Sequence, residues 1–213
     1  MKTRFIMIRH GFSVANDMRR FAGNFDVDLT ETGKKQANLC AEALKNEKID
    51  AIYSSDLKRA YDTAVPISET LGIEIIKCPE LREISAGEWE GKLFDELCEE
   101  YPEAYSTWRN DIGNAVCTGG ESVKQLSARI LSALCDIAKK NDGKTVCITT
   151  HATPIRAVCT AAAGLPTEQM SKINWVGNAS FNIFDYEDGK FTAIKLSDMA
   201  HLGELKTGLP RNV

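Results

Sequence analysis

Two hydrophobic rhythms take turns along this chain. Phe5-Ile6-Met7-Ile8 is an unbroken apolar run. With its flanks it predicts a buried strand over 3–8, bounded by Gly11. Residues 12–30 have no period and contain Gly23, Asn24, Asp26 and Asp28, which predicts a loop with one helical turn. A 3.6-residue rhythm follows in Ala37, Cys40, Ala41 and Leu44, with Thr30 or Thr32 as N-cap. Residues 49–53 predict a second strand, with Ser54-Ser55-Asp56 as cap candidates for the next helix. That helix carries Leu57, Ala60, Ala64, Ile67 and Leu71 on one face, contains Pro66 as an expected kink, and stops at Gly72. Ile73 to Ile76 form a third strand.

Residues 80–120 are less regular. They contain helical stretches over 93–100 and 102–110 and a turn at Gly119-Gly120. Helical periodicity returns over 122–139 and is stopped by Asn141-Asp142-Gly143. A fourth strand over 144–149 runs toward His151. Thr153-Pro154 opens another helix with Pro154 at its first position, closing at Gly164. Residues 179–185 and 191–197 alternate as two strands joined by Asp188-Gly189. The tail from 203 is expected to fray. This alternation predicts a three-layer α/β/α fold with a mainly parallel sheet. We read residues 1–213 as one domain with a cap-like insertion at about 84–120.

Composition narrows the function. The 213 residues have a formal net charge of −4, which argues against general nucleic-acid binding. No run reaches membrane-span length, and the apolar stretch before Arg9 is too short for a signal-peptide core, so the expected location is cytoplasmic. Seven scattered cysteines without a CxxC predict neither a disulfide framework nor a zinc site. Cys40, Cys135, Cys147 and Cys159 fall in apolar patterns and read as core residues. No cofactor is expected.

Candidate chemistry sits just after the predicted strands: Arg9-His10 after the first, Arg59 in the helix after the second, Glu83 after the third, His151 after the fourth. Open α/β sheets bind ligands outside the carboxyl ends of their strands, so these segments converge on one crevice. Arginine forks match phosphate oxygens. A neutral imidazole can attack phosphorus, and a carboxyl group can protonate a leaving oxygen. With no Walker-type loop and no cluster of aspartates, phosphoryl transfer through a phosphohistidine without metal fits this set. Adjacent strand residues point to opposite faces, so Arg9 and His10 share a ligand only if the chain leaves strand geometry there; Gly11 is expected to permit that turn. Lys58, Glu80, Glu88 and Glu90 read as surface charges, and Trp89 and Trp108 as packing residues. His201 reads equally well as structural or as part of a pocket rim.

The same residues form a pattern. Arg9-His10-Gly11 with Ser13 and Asn16 resembles the R-H-G-x-[ST]-x-x-N signature of the histidine phosphatase, or phosphoglycerate mutase-like, superfamily. The resemblance continues through Leu29-Thr30, Gly33 and Gln36-Ala37, then Ser54 to Ala60 with Thr63-Ala64. It extends through Leu81-x-Glu83 with Gly87-x-Trp89-Glu90-Gly91, then Gly119-Gly120-Glu121-Ser122, and His151. It implies a mainly parallel sheet with one antiparallel edge strand and a metal-independent phosphomonoesterase of the small phosphatase branch. His10 would be the nucleophile and Glu83 the proton donor. Arg9, Arg59 and His151 would hold the phosphoryl oxygens, with a hydrogen bond from Asn16. Ser13, Gly23 and Ala152 would be further substrate-binding positions. Two departures stand out: Ala152 where many members carry Gly, and Ala86 where related phosphatases often carry Phe. The expected partner is a small phosphomonoester, with neither nucleic acid nor membrane, and the candidate assembly is a homodimer. A phosphoglycerate mutase and a non-catalytic phospho-ligand module are the alternatives.

Overall fold

The computed structural model describes residues 1–208. Six strands form one sheet: β1 (Thr3–Arg9), β2 (Ala51–Ser54), β3 (Ile75–Lys77), β4 (Thr145–Thr150), β5 (Phe181–Glu187) and β6 (Lys190–Asp198), in the order β3-β2-β4-β1-β5-β6. The first four in that order are parallel, with Met7 opposite Ile148 and Tyr53 opposite Ile148 in the two central pairings. The antiparallel edge is a hairpin: β5 runs against β1, and β6 returns beside β5 as the outermost strand. Asp188 and Gly189, both at positive φ, make its turn.

Alternation along β1 decides which helices cover which face. Phe5 and Met7 join one core with α6 (Val123–Lys140) and α7 (Ala152–Ala162). Ile6 and Ile8 join the other with α2 (Glu31–Leu44) and α3 (Lys58–Leu71). A strand buried on both faces needs an unbroken apolar run, which is what the sequence shows. The single helical turn expected in 12–30 is α1 (Val14–Asp17). The two helices expected in the irregular region are α4 (Phe94–Glu100) and α5 (Pro102–Asn110), and their aromatic faces extend the α6–α7 core.

Several local expectations change. α3 continues through Pro66; the proline removes one helical N–H bond without ending the helix. Ser54-Ser55-Asp56 do not cap α3 with a side chain: its N-cap is Leu57. α7 begins two residues earlier than Pro154 predicts, with His151 itself as N-cap. The third strand is shifted to Ile75–Lys77. The tail does not fray at 203, since residues 200–205 form a 3-10 segment and the Leu205 carbonyl accepts from Gln36 Nε2 at 2.8 Å. Residues 209–213, the end of that tail, lie outside the described residues. Cys40, Cys147 and Cys159 are buried as expected; Cys117 is also buried, and Cys135 is half-buried beside the Tyr186 hydroxyl.

Candidate active site

β1 stops at Arg9, and His10 is the first residue beyond it. The His10 amide still donates to the Thr150 carbonyl at 2.9 Å, so the loop is tied to the neighbouring strand end. Gly11 is not the swivel expected of it, because it is absent from the glycines at positive φ. Its role is close approach: a Cβ there would lie 2.6 Å from the Gly33 carbonyl oxygen, and one on Gly33 would lie 2.1 Å from that of Phe12. The start of α2 is thus pressed against the loop that carries His10. Thr30 Oγ1 and N donate to the Phe12 carbonyl, buried Gln36 accepts from Phe12 N at 2.7 Å, and Thr63 Oγ1 on α3 accepts from Gly11 N at 3.0 Å. The Thr30, Gly33, Gln36 and Thr63 blocks therefore act as a clamp on one loop.

The cationic and imidazole groups converge as expected. Arg9 Nη1 donates to the Val176 carbonyl at 2.7 Å. Arg59, in the first turn of α3, donates to the carbonyls of Gly23 at 2.7 Å and Phe25 at 3.1 Å. Both are buried, and the Nε of each has no protein partner. Neither makes an ion pair among the described residues. Burial lowers each guanidinium pKa to about 10, with Glu83 opposing the shift, so both stay charged at neutral pH. Two buried arginines whose forks are held by main-chain oxygens, with no carboxylate paired to either, suit an anion of matching geometry.

Burial first, then the charges of Arg59 and Arg9, hold His10 well below the ordinary histidine pKa, so the ring is neutral at pH 7. Its Nδ1 lies 2.8 Å from the Gly11 carbonyl. A carbonyl only accepts, so Nδ1 carries the proton and Nε2 keeps its lone pair. His151 is also buried, its ring centroid 5.3 Å from that of His10, and the same causes hold it neutral. Its Nε2 lies 2.8 Å from Ser55 Oγ, which also accepts from Leu57 N, while its Nδ1 has no protein partner. Ser55 is thus a fastener for His151 instead of a helix cap.

Glu83 lines the same pocket as Arg9, His10 and Arg59. Main-chain N–H groups of Ile84, at 2.9 Å, and Thr153, at 3.3 Å, aim its two carboxyl oxygens. Arg129 on α6 grips the segment from behind, donating to the carbonyls of Glu80, Arg82 and Glu83 and forking onto Glu121. Arg129 shows no sequence signal beyond a charge on the flank of an amphipathic helix. Glu121 is the reason for its motif position, since it also accepts from Ser85 N at 3.0 Å. Glu90, read from sequence as a surface charge, is half-buried and accepts from Asn24 N and Ala86 N.

The remaining sequence candidates divide between the pocket wall and the layer behind it. Asn16, Gly23 and Ala152 line the pocket. Ser13 does not: it caps α1 and, with Asn178, saturates Asn16 Oδ1, leaving Nδ2 as the free end of that amide. Gly23 also acts through its carbonyl, which holds Arg59, and at φ +50 it packs too closely on Ala86 to accept a side chain. Buried Asn178 escaped the sequence reading; it donates to the His10 carbonyl at 3.1 Å as well as to Asn16, and its signal is only a polar residue just before β5. His201 stacks flat on Phe181 at 4.2 Å and is not among the lining residues. Trp89 is fully buried packing, whereas Trp108 packs and also meets the pocket with Phe21, Phe94 and Trp175. Among the described residues, no three His, Cys, Asp or Glu side chains cluster as metal ligands.

A neutral imidazole, two arginines, a second imidazole and a directed carboxyl group at the strand ends of an α/β sheet define a phosphoryl-handling site. The chain belongs to the histidine phosphatase superfamily (branch 1), whose model matches residues 5–199. It is 37% identical over 203 residues to phosphoserine phosphatase 1 of Hydrogenobacter thermophilus, covering 94% of this chain and 95% of that one. It is 39% identical over 208 residues to a metal-independent phosphoserine phosphatase of Arabidopsis thaliana, covering 95% and 84%. The solved structure of Bacillus stearothermophilus YhfR superposes with a TM-score of 0.89 at 29% identity, over 94% of this chain and 99% of the other. The chain is a phosphatase that hydrolyses phosphate monoesters.

Proposed function

We propose that hydrolysis runs through a phosphohistidine on His10. The observation that carries this reading is the His10 tautomer: the Gly11 carbonyl fixes the proton on Nδ1, and the depressed pKa keeps the Nε2 lone pair available. In the first step Nε2 attacks phosphorus as the ester P–O bond breaks. Glu83, in its protonated form, gives its proton to the departing alkoxide. Arg9, Arg59, His151 and Asn16 Nδ2 receive the charge that builds on the non-bridging oxygens. In the second step water attacks phosphorus, Glu83 takes its proton, the P–N bond breaks, and phosphate leaves with His10 neutral again.

The relatives' names support a small phosphorylated metabolite as substrate, with phosphoserine the first compound to test. We read residues 84–120 as a cap within a single domain, closing the leaving-group side. Cytoplasmic residence and a homodimer belong to the same reading, to be checked by fractionation and light scattering. Neither nucleic acid nor membrane is among the proposed partners. The charge of −4 and the lack of any described helix long and apolar enough to cross a membrane support that.

Rapid acid-free quench with labelled phosphoserine tests the mechanism. Wild-type protein should carry label that is stable in base and lost in acid, and His10→Ala should carry none and lose at least about 10⁴-fold in activity. Label retained in His10→Ala would overturn the assignment. Phosphate migrating within 3-phosphoglycerate without release would favour a mutase.

A further inference from the structure

Residues 205–207 meet the catalytic loop from behind. They follow the 3-10 segment over 200–205 and lie against two buried amide side chains, Gln36 on α2 and Asn178 just before β5. Gln36 Nε2 donates to the Leu205 carbonyl at 2.8 Å and to Thr207 Oγ1 at 3.4 Å, while its Oε1 accepts from Phe12 N. Thr207 Oγ1 in turn donates to Asn178 Oδ1 at 3.3 Å. Asn178 Nδ2 then reaches the His10 carbonyl at 3.1 Å and Asn16 Oδ1 at 3.0 Å. A hydrogen-bond chain thus runs from the half-buried Thr207 hydroxyl to both ends of the loop that carries His10.

Main-chain groups fix the direction of these bonds. A carbonyl only accepts, so the Asn178 atom facing His10 is the NH2 group, and the one facing Thr207 is the oxygen. A main-chain N–H only donates, so the Asn16 atom that takes Ser13 N at 3.2 Å is the oxygen. The Asn16 NH2 is then left for the pocket that Asn16 lines. The Thr207 hydroxyl gives its one proton to Asn178 and takes one from Gln36. Reversing the Asn178 amide would set its oxygen against the His10 carbonyl and the Asn16 oxygen, and the Thr207 donor opposes that reversal. Gln36 and Asn178 are both buried, so a lost hydroxyl leaves amide atoms that bulk water does not readily satisfy.

Building on the phosphatase reading above, we propose that Thr207 is a positioning residue for the phosphate side of the site. Through Asn178 it aims the Asn16 amide at the phosphoryl oxygens and holds the His10 carbonyl. Through Gln36 it secures the Phe12 end of the same loop. Thr207 itself does not line the pocket.

Thr207→Val keeps the shape and removes the hydroxyl, whereas Thr207→Ser keeps the hydroxyl. Thr207→Val should lower kcat and vanadate affinity about tenfold, the value of one misdirected hydrogen bond in the transition state. The loss should be equal for phosphoserine and p-nitrophenyl phosphate, with KM little changed, and Thr207→Ser should recover most of it. A double-variant cycle with Asn16→Ala separates positioning from general support of the fold. If Thr207 acts through Asn16, removing its hydroxyl in the Asn16→Ala background should cost about threefold at most. Rates are taken well below each variant's thermal midpoint, so that a stability loss does not pass for a catalytic one. If Thr207→Val does not fold, Thr207→Ala carries the same expectation. The full tenfold loss in both backgrounds, or wild-type rates in the valine variant, would sink this inference and leave the phosphatase reading standing. Failure of the wild type to hydrolyse either ester would remove both.

Discussion

The two sides of the pocket are built by different means. On the phosphate side, Arg9, His10, Arg59 and His151 come from the ends of parallel strands or the first turn of the helix that follows. Main-chain carbonyls, Ser55 and the Gly11–Gly33 contact hold them. On the leaving-group side the wall comes from aromatic residues at 21, 94, 108 and 175, with Phe21 edge to face on Phe94 and Trp108 and Trp175 tilted against Trp108, across long stretches of chain. The first side is a fixed frame for one tetrahedral anion. The second is a packed surface whose shape depends on side-chain size. Such a division lets the alcohol change while the chemistry stays, because large-to-small changes in the wall need not disturb the strand ends.

Glu83 stands at the seam of these two sides, so its removal gives the largest effect that depends on which alcohol leaves. Glu83→Gln keeps the shape and the oxygen that can accept from a main-chain N–H, but cannot deliver a proton. Alkyl phosphates should slow by about 10²- to 10⁴-fold in kcat, whereas p-nitrophenyl phosphate, whose leaving group needs no proton, should slow far less. Equal losses on both would place Glu83 on the phosphate side of the divide and end its role as the acid. Steady-state kinetics on the two ester types decides this.

The same divide explains what could be read in the sequence. Strand ends are written locally, as an apolar run meeting a charged or imidazole residue, so Arg9, His10, Arg59, Glu83 and His151 were all legible with the α/β order. The residues that fix their geometry were not. Asn178, Arg129 and the hydroxyl of Ser55 act across 168, 46 and 96 positions of chain, and no local pattern reports such distances. Gly11 was assigned to backbone freedom, but its small size serves the packing of Gly33, a distinction that needs coordinates. Glu90 reads as a surface charge and Trp108 as a packing residue because a single sequence shows only what is charged or aromatic; the fold adds that Glu90 is half-buried against the Asn24 and Ala86 amides and that Trp108 also meets the pocket.

Ser55 tests whether the phosphate side owes its precision to such fasteners. The hydroxyl accepts from Leu57 N, so its own proton is free to go to His151 Nε2. In that arrangement the neutral ring carries its remaining proton on Nδ1, as a donor for a phosphoryl oxygen. Ser55→Ala should lower kcat by about tenfold on alkyl and aryl esters alike and weaken vanadate binding, with Ser55→Thr recovering most of both. Nitrogen-15 shifts of the His151 ring should move toward a mixture of tautomers in the alanine variant. A wild-type ring protonated on Nε2 would reverse the assigned direction of the bond.

The smallest effect concerns stability, and it belongs to the phosphate side alone. His10 and His151 are both buried and held neutral, with folded pKa values well below 6.5. The unfolded chain takes up protons on these rings as pH falls through about 6.5, while the folded chain does not. The unfolded state then binds more protons, so stability rises with pH across this window and is lost as pH falls from about 6.5 toward the folded values. Thermal midpoints of the wild type should drop between pH 7.5 and pH 5, and His151→Gln should flatten that slope. Both rings titrate at the same pole, so His10→Asn should flatten it as well, and the double variant more than either. Replacing the exposed-side aromatic Trp175 with Leu should leave the slope as it is, because no titrating imidazole sits on that wall. A slope equally steep in the double histidine variant would show that the two buried rings do not carry the acid sensitivity; Asp56 and Asp185, held below the usual carboxylate range by Arg82 and by Arg4 and Lys2, lose their stabilisation only at lower pH, beneath this window.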